Sequence, residues 1–215
     1  QSYEKWQSPS KLTAFSKLFA QNCIACHGDG KTISASIPLN DPLYLSYIPE
    51  ATMRGIIANG IPGTSMPAFA KSRGGMLTDD QVDILAGGIF SEKPKASLGT
   101  VPPYTAAPGD VVRGAQTFSV YCAACHEPAG EGLGKYGSVV DPTYLALVSN
   151  QYLRTVIVMG RPDLKMPNYR NDVSGKPMTD QDISDVVAWL ASHRLPAGSS
   201  GTPVSKPSPS GVVVP

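Results

Sequence analysis

The sequence predicts an all-α protein made of two tandem copies of one small unit. A Cys-x-x-Cys-His string occurs twice, starting at Cys23 and again at Cys122, 99 residues later. The segments that follow the two strings align with each other without a gap. Apolar residues recur at the spacing of amphipathic helices, and no segment alternates convincingly between apolar and polar residues as a strand would.

The repeat sets the expected domain bounds. Residues 41–70 align on residues 141–170, and ten of these thirty pairs are identical. Two copies of so long a unit are too few for a solenoid. The chain is therefore expected to consist of domain 1 over residues 1–90, a linker over 91–109, domain 2 over 110–196 and a tail over 197–215.

The two segments outside the units differ from them in composition. The linker over residues 91–109 holds four prolines, which predicts a semi-rigid spacer. The tail over residues 197–215 is rich in Ser, Pro and Gly, so we expect a disordered-like segment without a core of its own. We expect that contact with the rest of this chain or with another chain would be needed to order this tail.

Three helices are predicted in each unit, and the first of them runs into the Cys-x-x-Cys-His string. The third begins at Thr78 in one unit and at Thr179 in the other. Thr is a good N-cap, and the Asp that follows it suits the positive end of the helix dipole. The predicted helices cover residues 10–22, 50–59 and 78–90, and residues 109–121, 150–159 and 179–193.

Composition excludes several classes of function. The 215 residues include 18 Lys and Arg against 17 Asp and Glu, so no basic excess indicates a nucleic-acid partner. No stretch approaches the roughly 18 apolar residues that cross a bilayer. The chain opens on QSYEKWQSPS, without a leader pattern, and we expect that any export signal has been removed.

The two strings use all four cysteines and two of the three histidines of the chain. Thiols at positions i and i+3 lie one helical turn apart and can each form a thioether with a porphyrin vinyl group, and the next residue, His, can bind the iron. This spacing is typical of c-type haem attachment, here by Cys23, Cys26 and His27 and by Cys122, Cys125 and His126. A redox dithiol, a shared zinc site and simple disulfides are weaker alternatives, because they do not explain the repeated His.

A second axial ligand would distinguish an electron carrier from an enzyme. Only Met66 and Met166, of the six methionines, occupy equivalent positions in the two units, 39 and 40 residues after their His. Each precedes a proline, which favours extended backbone and can aim the thioether at iron. The other four methionines are expected to serve packing, and His193, near the end of the last helix, to act as a cation at the helix C-terminus.

Together these residues resemble class I cytochrome c, over about residues 10–91 and 109–195. The chain looks like a dihaem cytochrome c, that is, two tandem class I cytochrome c domains with two covalently bound haem c groups. The resemblance implies His/Met iron and single-electron transfer. It also implies that a proline carbonyl orients the proximal His, with Pro38 as the candidate in unit 1 and another carbonyl in unit 2, where Ser138 stands. Arg54 and Arg154 are candidates for binding the haem propionates, and surface ion pairs are the alternative.

The family's contact between first and last helix usually pairs a small residue with an aromatic one. Gly114 and Trp189 fit this pattern in unit 2, whereas unit 1 has Phe15 and Gly88 at these positions. We interpret this as an exchange of the large and small residues across one contact. A loose helix end at Gly87–Gly88 is the alternative.

The resemblance predicts an electron-transfer protein, either a soluble shuttle or the cytochrome subunit of a respiratory or dehydrogenase complex. The expected partners are redox proteins, including a membrane respiratory complex. Covalent haem attachment places the protein in the periplasm or on the external face of the cytoplasmic membrane. A dihaem peroxidase and an assembly role are the alternatives. Arg161, Lys165 and Arg170 bracket Met166 and form either a docking face for an acidic partner or a solvated loop.

Overall fold

The computed structural model describes residues 8–31, 33–91, 98–132, 136–170 and 176–195. The predicted tail over 197–215 and the start of the linker lie outside these residues. The described residues form helices and no β-strand, apart from two isolated bridges that join Ala70 to Leu77 and Arg161 to Met166. The all-α prediction is therefore confirmed.

The described helices repeat in the same order in both units. In unit 1 they are α1 (Phe15–Asn22), α2 (Ile24–His27), α3 (Pro42–Tyr47), α4 (Glu50–Asn59) and α5 (Asp79–Phe90). In unit 2 they are α6 (Val111–Tyr121), α7 (Ala123–His126), α8 (Pro142–Leu147), α9 (Asn150–Met159) and α10 (Asp180–Ser192). Three 3-10 turns accompany them, at Pro9–Lys11, Lys71–Arg73 and Pro162–Leu164.

The first helix is shorter than predicted. We expected it from residue 10, but Pro9 opens a separate 3-10 turn, Leu12 is extended, and α1 begins only at Phe15. The third helices are as predicted: Thr78 and Thr179 accept hydrogen bonds from the backbone N–H three residues on, and each forms a capping box. Helices α3 and α8 were not predicted, although Asp41 and Asp141 cap them and a proline follows at their first position.

Equivalent residues of the two units are buried in the hydrophobic core. Leu45 and Leu145 are both completely buried, and Met53 and Leu153 are buried as well. The last helix of each unit supplies the rest, including Val82 and Leu85 from α5 and Ile183 and Val186 from α10. The repeated pattern of the sequence therefore gives equivalent buried positions in both units, and these residues belong to one hydrophobic cluster.

The first and last helices of each unit cross at close range through a glycine. A Cβ atom added to Gly88 would lie 2.1 Å from the Phe15 ring, and one added to Gly114 would lie 2.1 Å from the Asp185 carbonyl oxygen and 2.8 Å from Trp189 Cβ. The small residue lies on α5 in unit 1 and on α6 in unit 2. The predicted exchange of large and small residues is confirmed, and α5 continues through Gly88 to Phe90.

The described part of the linker binds to both units. The Pro103 carbonyl accepts a hydrogen bond from Arg154 (2.8 Å), and the Tyr104 carbonyl accepts one from Gln151 of unit 2 (3.0 Å) and one from Tyr47 of unit 1 (3.4 Å). Earlier in the linker, the Thr100 carbonyl accepts a hydrogen bond from the Tyr169 hydroxyl of unit 2 (2.6 Å). Residues 98–109 are thus an irregular strap that ties the units together through its carbonyl groups.

A buried carboxylate joins the two helices that cross in unit 2. Asp185 on α10 accepts hydrogen bonds from the Arg113 guanidinium (2.8 and 3.0 Å), the Asp110 backbone N–H (2.6 Å) and Gln181 (2.8 Å). Chiefly because of Arg113, the pKa of Asp185 falls to about 2. The charged form of Asp185 therefore stabilises the α6–α10 contact.

We expect Asp185→Asn to lower the free energy of unfolding by roughly 1–2 kcal/mol near neutral pH. Because the folded pKa lies below the ordinary value, this contribution is present above about pH 4 and is lost as the pH falls towards about 2. Urea unfolding of the wild type and the variant at a series of pH values measures the difference. A difference that stays constant down to about pH 2 would contradict the assignment.

Candidate haem sites

The two Cys-x-x-Cys-His segments adopt the same backbone geometry. Helix α1 ends at Asn22, and the N–H groups of Cys26 and His27 both donate to the Cys23 carbonyl, at 3.2 and 3.0 Å. In unit 2, Cys125 and His126 donate to the Cys122 carbonyl at 3.1 and 2.9 Å. The thiols of each pair are thus held on one helical turn, with the His directly after them.

The state of the thiols opposes the alternatives to haem. All four are free, so the described structure contains no disulfide. Burial raises the pKa of Cys23 to about 11 and that of Cys122 to about 12, with a smaller contribution from the second Cys of each pair. A redox dithiol needs a lowered pKa. Among the described residues, no three His, Cys, Asp or Glu side chains come close enough to hold one metal ion, so the shared zinc site is not formed there.

His27 is oriented by a backbone carbonyl. Its Nδ1 lies 2.8 Å from the Ile37 carbonyl oxygen, so the ring can donate from Nδ1 and keep Nε2 free for iron. Pro38 was the predicted partner, and this prediction was wrong by one residue: the carbonyl before the proline, not its own, faces the ring. Burial lowers the pKa of His27 more than the Ile37 carbonyl raises it. The neutral imidazole, the form that binds metal, is therefore favoured.

His126 lies at the equivalent position in unit 2, but no hydrogen bond among the described residues orients its ring. Burial lowers its pKa, and the backbone of Gly137, the equivalent of Ile37, acts to raise it. Its Nδ1 is buried and makes no hydrogen bond to any residue in the described part of the chain. That a carbonyl other than that of Ser138 orients His126 stays a prediction, and Gly137 is the nearest candidate by position in the repeat. The two proximal histidines thus differ in the strength of their backbone contact.

The residue after each His ends its short helix with a positive φ. Gly28 has φ 68° and ψ −178°, a conformation that only glycine adopts without cost, whereas Glu127 holds φ 62° and ψ 158°. We expect Glu127→Gly to raise the free energy of unfolding by about 1 kcal/mol, since it removes this strain. Thermal unfolding tests this, with Glu131→Gly as the control, because Glu131 is exposed and has no positive φ. A loss of stability in Glu127→Gly would show that the Glu side chain matters more than the strain.

Met66 and Met166 lie on equivalent loops. The Met66 carbonyl accepts from the Ile61 N–H (3.0 Å), and the Met166 carbonyl accepts from the Arg161 N–H (2.9 Å). Both side chains are half-buried, and Met166 lines an open crevice of about 480 Å³. Of the other methionines, Met53, Met159 and Met178 are buried in the cores and Met76 is 79% exposed. The predicted packing role is confirmed for the three buried methionines, whereas most of the Met76 side chain is exposed.

Two glycines that sequence reasoning gave no role shape these loops. Gly60 and Gly160 start them with φ 64° and 69°. A Cβ at either position would lie 2.6 Å from the carbonyl carbon of the proline after the Met. The loop can fold back over its own first residue only because that residue is glycine. Their identity in the repeat is the signal that could have found them.

The guanidinium groups of Arg54 and Arg154 both bind other residues of this chain. Arg54 on α4 forms an ion pair with Asp83 on α5. Arg154 on α9 is buried, pairs with Asp180, and also donates to Ser184 (3.3 Å) and the Pro103 carbonyl (2.8 Å). These contacts correspond to the ion-pair alternative, except that Arg154 does not lie at the surface. Contact with haem propionates stays a prediction.

The three basic residues around Met166 do not form one exposed surface. Arg161 is buried, and Arg170 donates to the Leu98 carbonyl (2.5 Å) and to the Tyr169 hydroxyl (3.0 Å). Only Lys165 is exposed. Both predictions are therefore wrong for Arg161, because its side chain is buried, and both stay open for Lys165 and Arg170. His193 ends α10, as predicted, with its ring on Trp189 (4.6 Å between centroids) and its Nδ1 on the Trp189 carbonyl (2.9 Å).

The donor set of each unit suits a haem c group. It comprises two free thiols on one turn, an imidazole favoured in its neutral form, and a half-buried thioether on a loop of its own. Fold and donor chemistry together define a c-type cytochrome. The chain belongs to the family described as cytochrome c oxidase, cbb3-type, subunit III, which matches residues 10–87 and 109–190. Covalently bound haem c is the cofactor of this family.

Curated relatives agree with this family. The chain is 34% identical over 125 residues to the cbb3-type cytochrome c oxidase subunit CcoP of Azospirillum sp. (strain B510), covering 53% of this chain and 38% of that protein. It is 35% identical to the subunit FixP of Azorhizobium caulinodans, covering 56% and 40%. It is 21% identical to the cytochrome bc1 complex cytochrome c subunit of Mycobacterium tuberculosis (strain H37Rv), covering 85% and 64%. The chain thus spans less than half the length of the first two relatives.

Proposed function

We propose that this chain is a dihaem electron-transfer module that passes single electrons between redox proteins as part of a membrane respiratory complex. The observation that carries the proposal is the duplicated donor set, with a Met on the same loop in both units. The comparison proteins named as oxidase and bc1 complex subunits support the complex over the free shuttle. The expected location is the periplasm or the external face of the cytoplasmic membrane.

Each donor set has a defined task. Haem c supplies a one-electron Fe(III)/Fe(II) couple when bound. Cys23 and Cys26, and likewise Cys122 and Cys125, anchor it covalently, so that it cannot dissociate. His27 and His126 supply the proximal nitrogen, and the Ile37 carbonyl fixes the ring orientation of the first. Met66 and Met166 supply a thioether, which raises the reduction potential.

The second ligand distinguishes electron transfer from peroxidase chemistry. A peroxidase needs an open or displaceable iron position and nearby acid–base groups. Both units offer a Met instead, and His193, the histidine outside the two strings, is bound to its own helix end. We therefore propose electron transfer without a catalytic site in this chain.

None of the helices in the described ranges has the length and apolar character to cross a bilayer.

The experiment that tests the proposal is a haem count with a ligand assay. The alkaline pyridine spectrum of the purified chain should give two haems c per polypeptide. The ferric protein should show the far-red absorption band of Met-ligated haem at an intensity of two Met-ligated sites. Reduction by an electron donor followed by oxidation by a membrane fraction containing a cytochrome oxidase should be complete. One haem per chain, or one high-spin site that reacts with peroxide, would overturn the proposal.

A further inference from the structure

Arg161 is a buried cation at the boundary of the two units. Its side chain is 8% exposed. Asp163, two residues later, accepts two hydrogen bonds from it, at 2.8 and 2.6 Å. This pairing lowers the pKa of Asp163, so the carboxylate is charged at neutral pH. The pair therefore joins a buried guanidinium to a partly buried carboxylate within the loop that carries Met166.

The same ion pair holds a peptide of unit 1. The Arg161 guanidinium donates to the Ser34 carbonyl at 2.7 Å, and a hydrogen bond from the Ser34 backbone contributes to the low pKa of Asp163. The Ser34 carbonyl is thus bound by unit 2. Ser34 itself is buried. A buried carbonyl that accepts from a buried guanidinium fixes this point of unit 1 against unit 2.

Hydrogen bonds continue from this contact to both candidate haem sites. In unit 2 the backbones of Arg161 and Met166 are paired in both directions, at 2.9 and 3.0 Å. In unit 1 the Ser34 hydroxyl donates to the Ser36 carbonyl (2.6 Å), and the Ser36 N–H donates to the Cys26 carbonyl (2.8 Å). Arg161 is therefore the middle of a bonded path that joins the Met loop of one unit to the Cys-Cys-His turn of the other.

The repeat shows that the loop itself does not need this arginine. In unit 1 the equivalent positions are Ile61 and Gly63, and Ile61 makes the same backbone bond to Met66 (3.0 Å) without any charge. Burying an ion pair costs desolvation energy. This charged pair occurs in unit 2 only, and it lies where the two units meet. Its role is therefore in the contact between the units, because the Met loop forms without it in unit 1.

We propose that Arg161 is the positioning residue that couples the two haem sites. It holds the Met166 loop and the Cys26 turn in one fixed arrangement, so that a change of redox state at one site alters the affinity of the other for an electron. This inference rests on the proposed function. Such coupling is reciprocal and is typically about fivefold or more in an equilibrium constant.

The unit 1 residues provide the test variant. The double replacement Arg161→Ile with Asp163→Gly gives unit 2 the residues that form this loop in unit 1, and it leaves no unpaired buried charge. The haem-loaded protein is titrated electrochemically while NMR follows the haem methyl signals of each site. In the wild type, the reduction potential of each site should depend on the redox state of the other site, and we expect this dependence to disappear in the variant. Electron exchange between the two sites, measured after flash reduction, should become slower.

Two controls distinguish a loss of coupling between the haem sites from a general disruption of the unit 2 structure. The far-red band of Met-ligated haem should persist in the variant, which shows that the Met166 loop is intact. Arg194→Gln removes an arginine that binds the Leu145 and Val148 carbonyls, both within unit 2, and should leave coupling and exchange unchanged. If Arg161→Ile/Asp163→Gly keeps the wild-type coupling and exchange rate, the proposal is wrong. A wild type without two Met-ligated haems would instead defeat the proposed function.

Discussion

Replacing Met166 by Ala is expected to remove the far-red band of one haem and to lower the reduction potential of that site alone. The thioether stabilises the ferrous state, so its loss favours ferric iron. The expected fall is on the order of 0.1 V or more, a fraction of the roughly 0.8 V that axial ligands span. Met66→Ala should do the same to the other site. Spectroelectrochemical titration of each variant measures both quantities.

The chain offers matched methionines as controls. Met76→Ala changes an exposed side chain, and Met159→Leu changes a buried one with little change of volume. Both should keep two Met-ligated haems and both potentials. If Met166→Ala kept the full band, the sixth ligand of that site would be another residue, and the argument from the repeated Met-Pro loop would fail.

The repeat explains why the sequence predicted so much of these sites. Each candidate donor occurs twice at an equivalent position, and this is why Met66 and Met166, rather than the other methionines, are proposed as ligands. The helices with the capping Thr78 and Thr179 were predicted correctly because their end signals are local. The short helices α3 and α8 were missed, because an Asp-Pro pair indicates either a turn or a capped helix.

What the sequence did not predict depends on contacts between distant residues. Arg161 looked like part of a basic surface, because nothing in the sequence says that its guanidinium reaches the Ser34 carbonyl, 127 residues earlier. Arg154 has an identical counterpart, Arg54, yet only Arg154 is buried and reaches the linker. Position in a repeat thus predicts the backbone setting of a side chain but not its partners.

Replacing Gly114 by Ala is expected to destabilise unit 2 by at least about 2 kcal/mol, as overpacking of a helix contact does. The added Cβ would lie 2.1 Å from the Asp185 carbonyl oxygen, a backbone atom that cannot move without shifting α10. The shift would also disturb Phe118 and Trp189, whose ring centroids are 4.3 Å apart. Denaturant unfolding, followed by Trp fluorescence and by circular dichroism, measures the loss.

Two glycines of α5 separate the contact from the general effect of adding a methyl group to a helix. A Cβ at Gly88 meets the Phe15 ring, a side chain that can rotate, so Gly88→Ala should cost less than Gly114→Ala. A Cβ at Gly87 meets nothing within 4 Å, so Gly87→Ala should stabilise the protein by about 0.5–1 kcal/mol, the difference in helix propensity. The predicted order of stability is Gly87→Ala, then Gly88→Ala, then Gly114→Ala. Equal effects at Gly87 and Gly114 would mean that the helices can separate without cost and that the crossing does not hold the unit together.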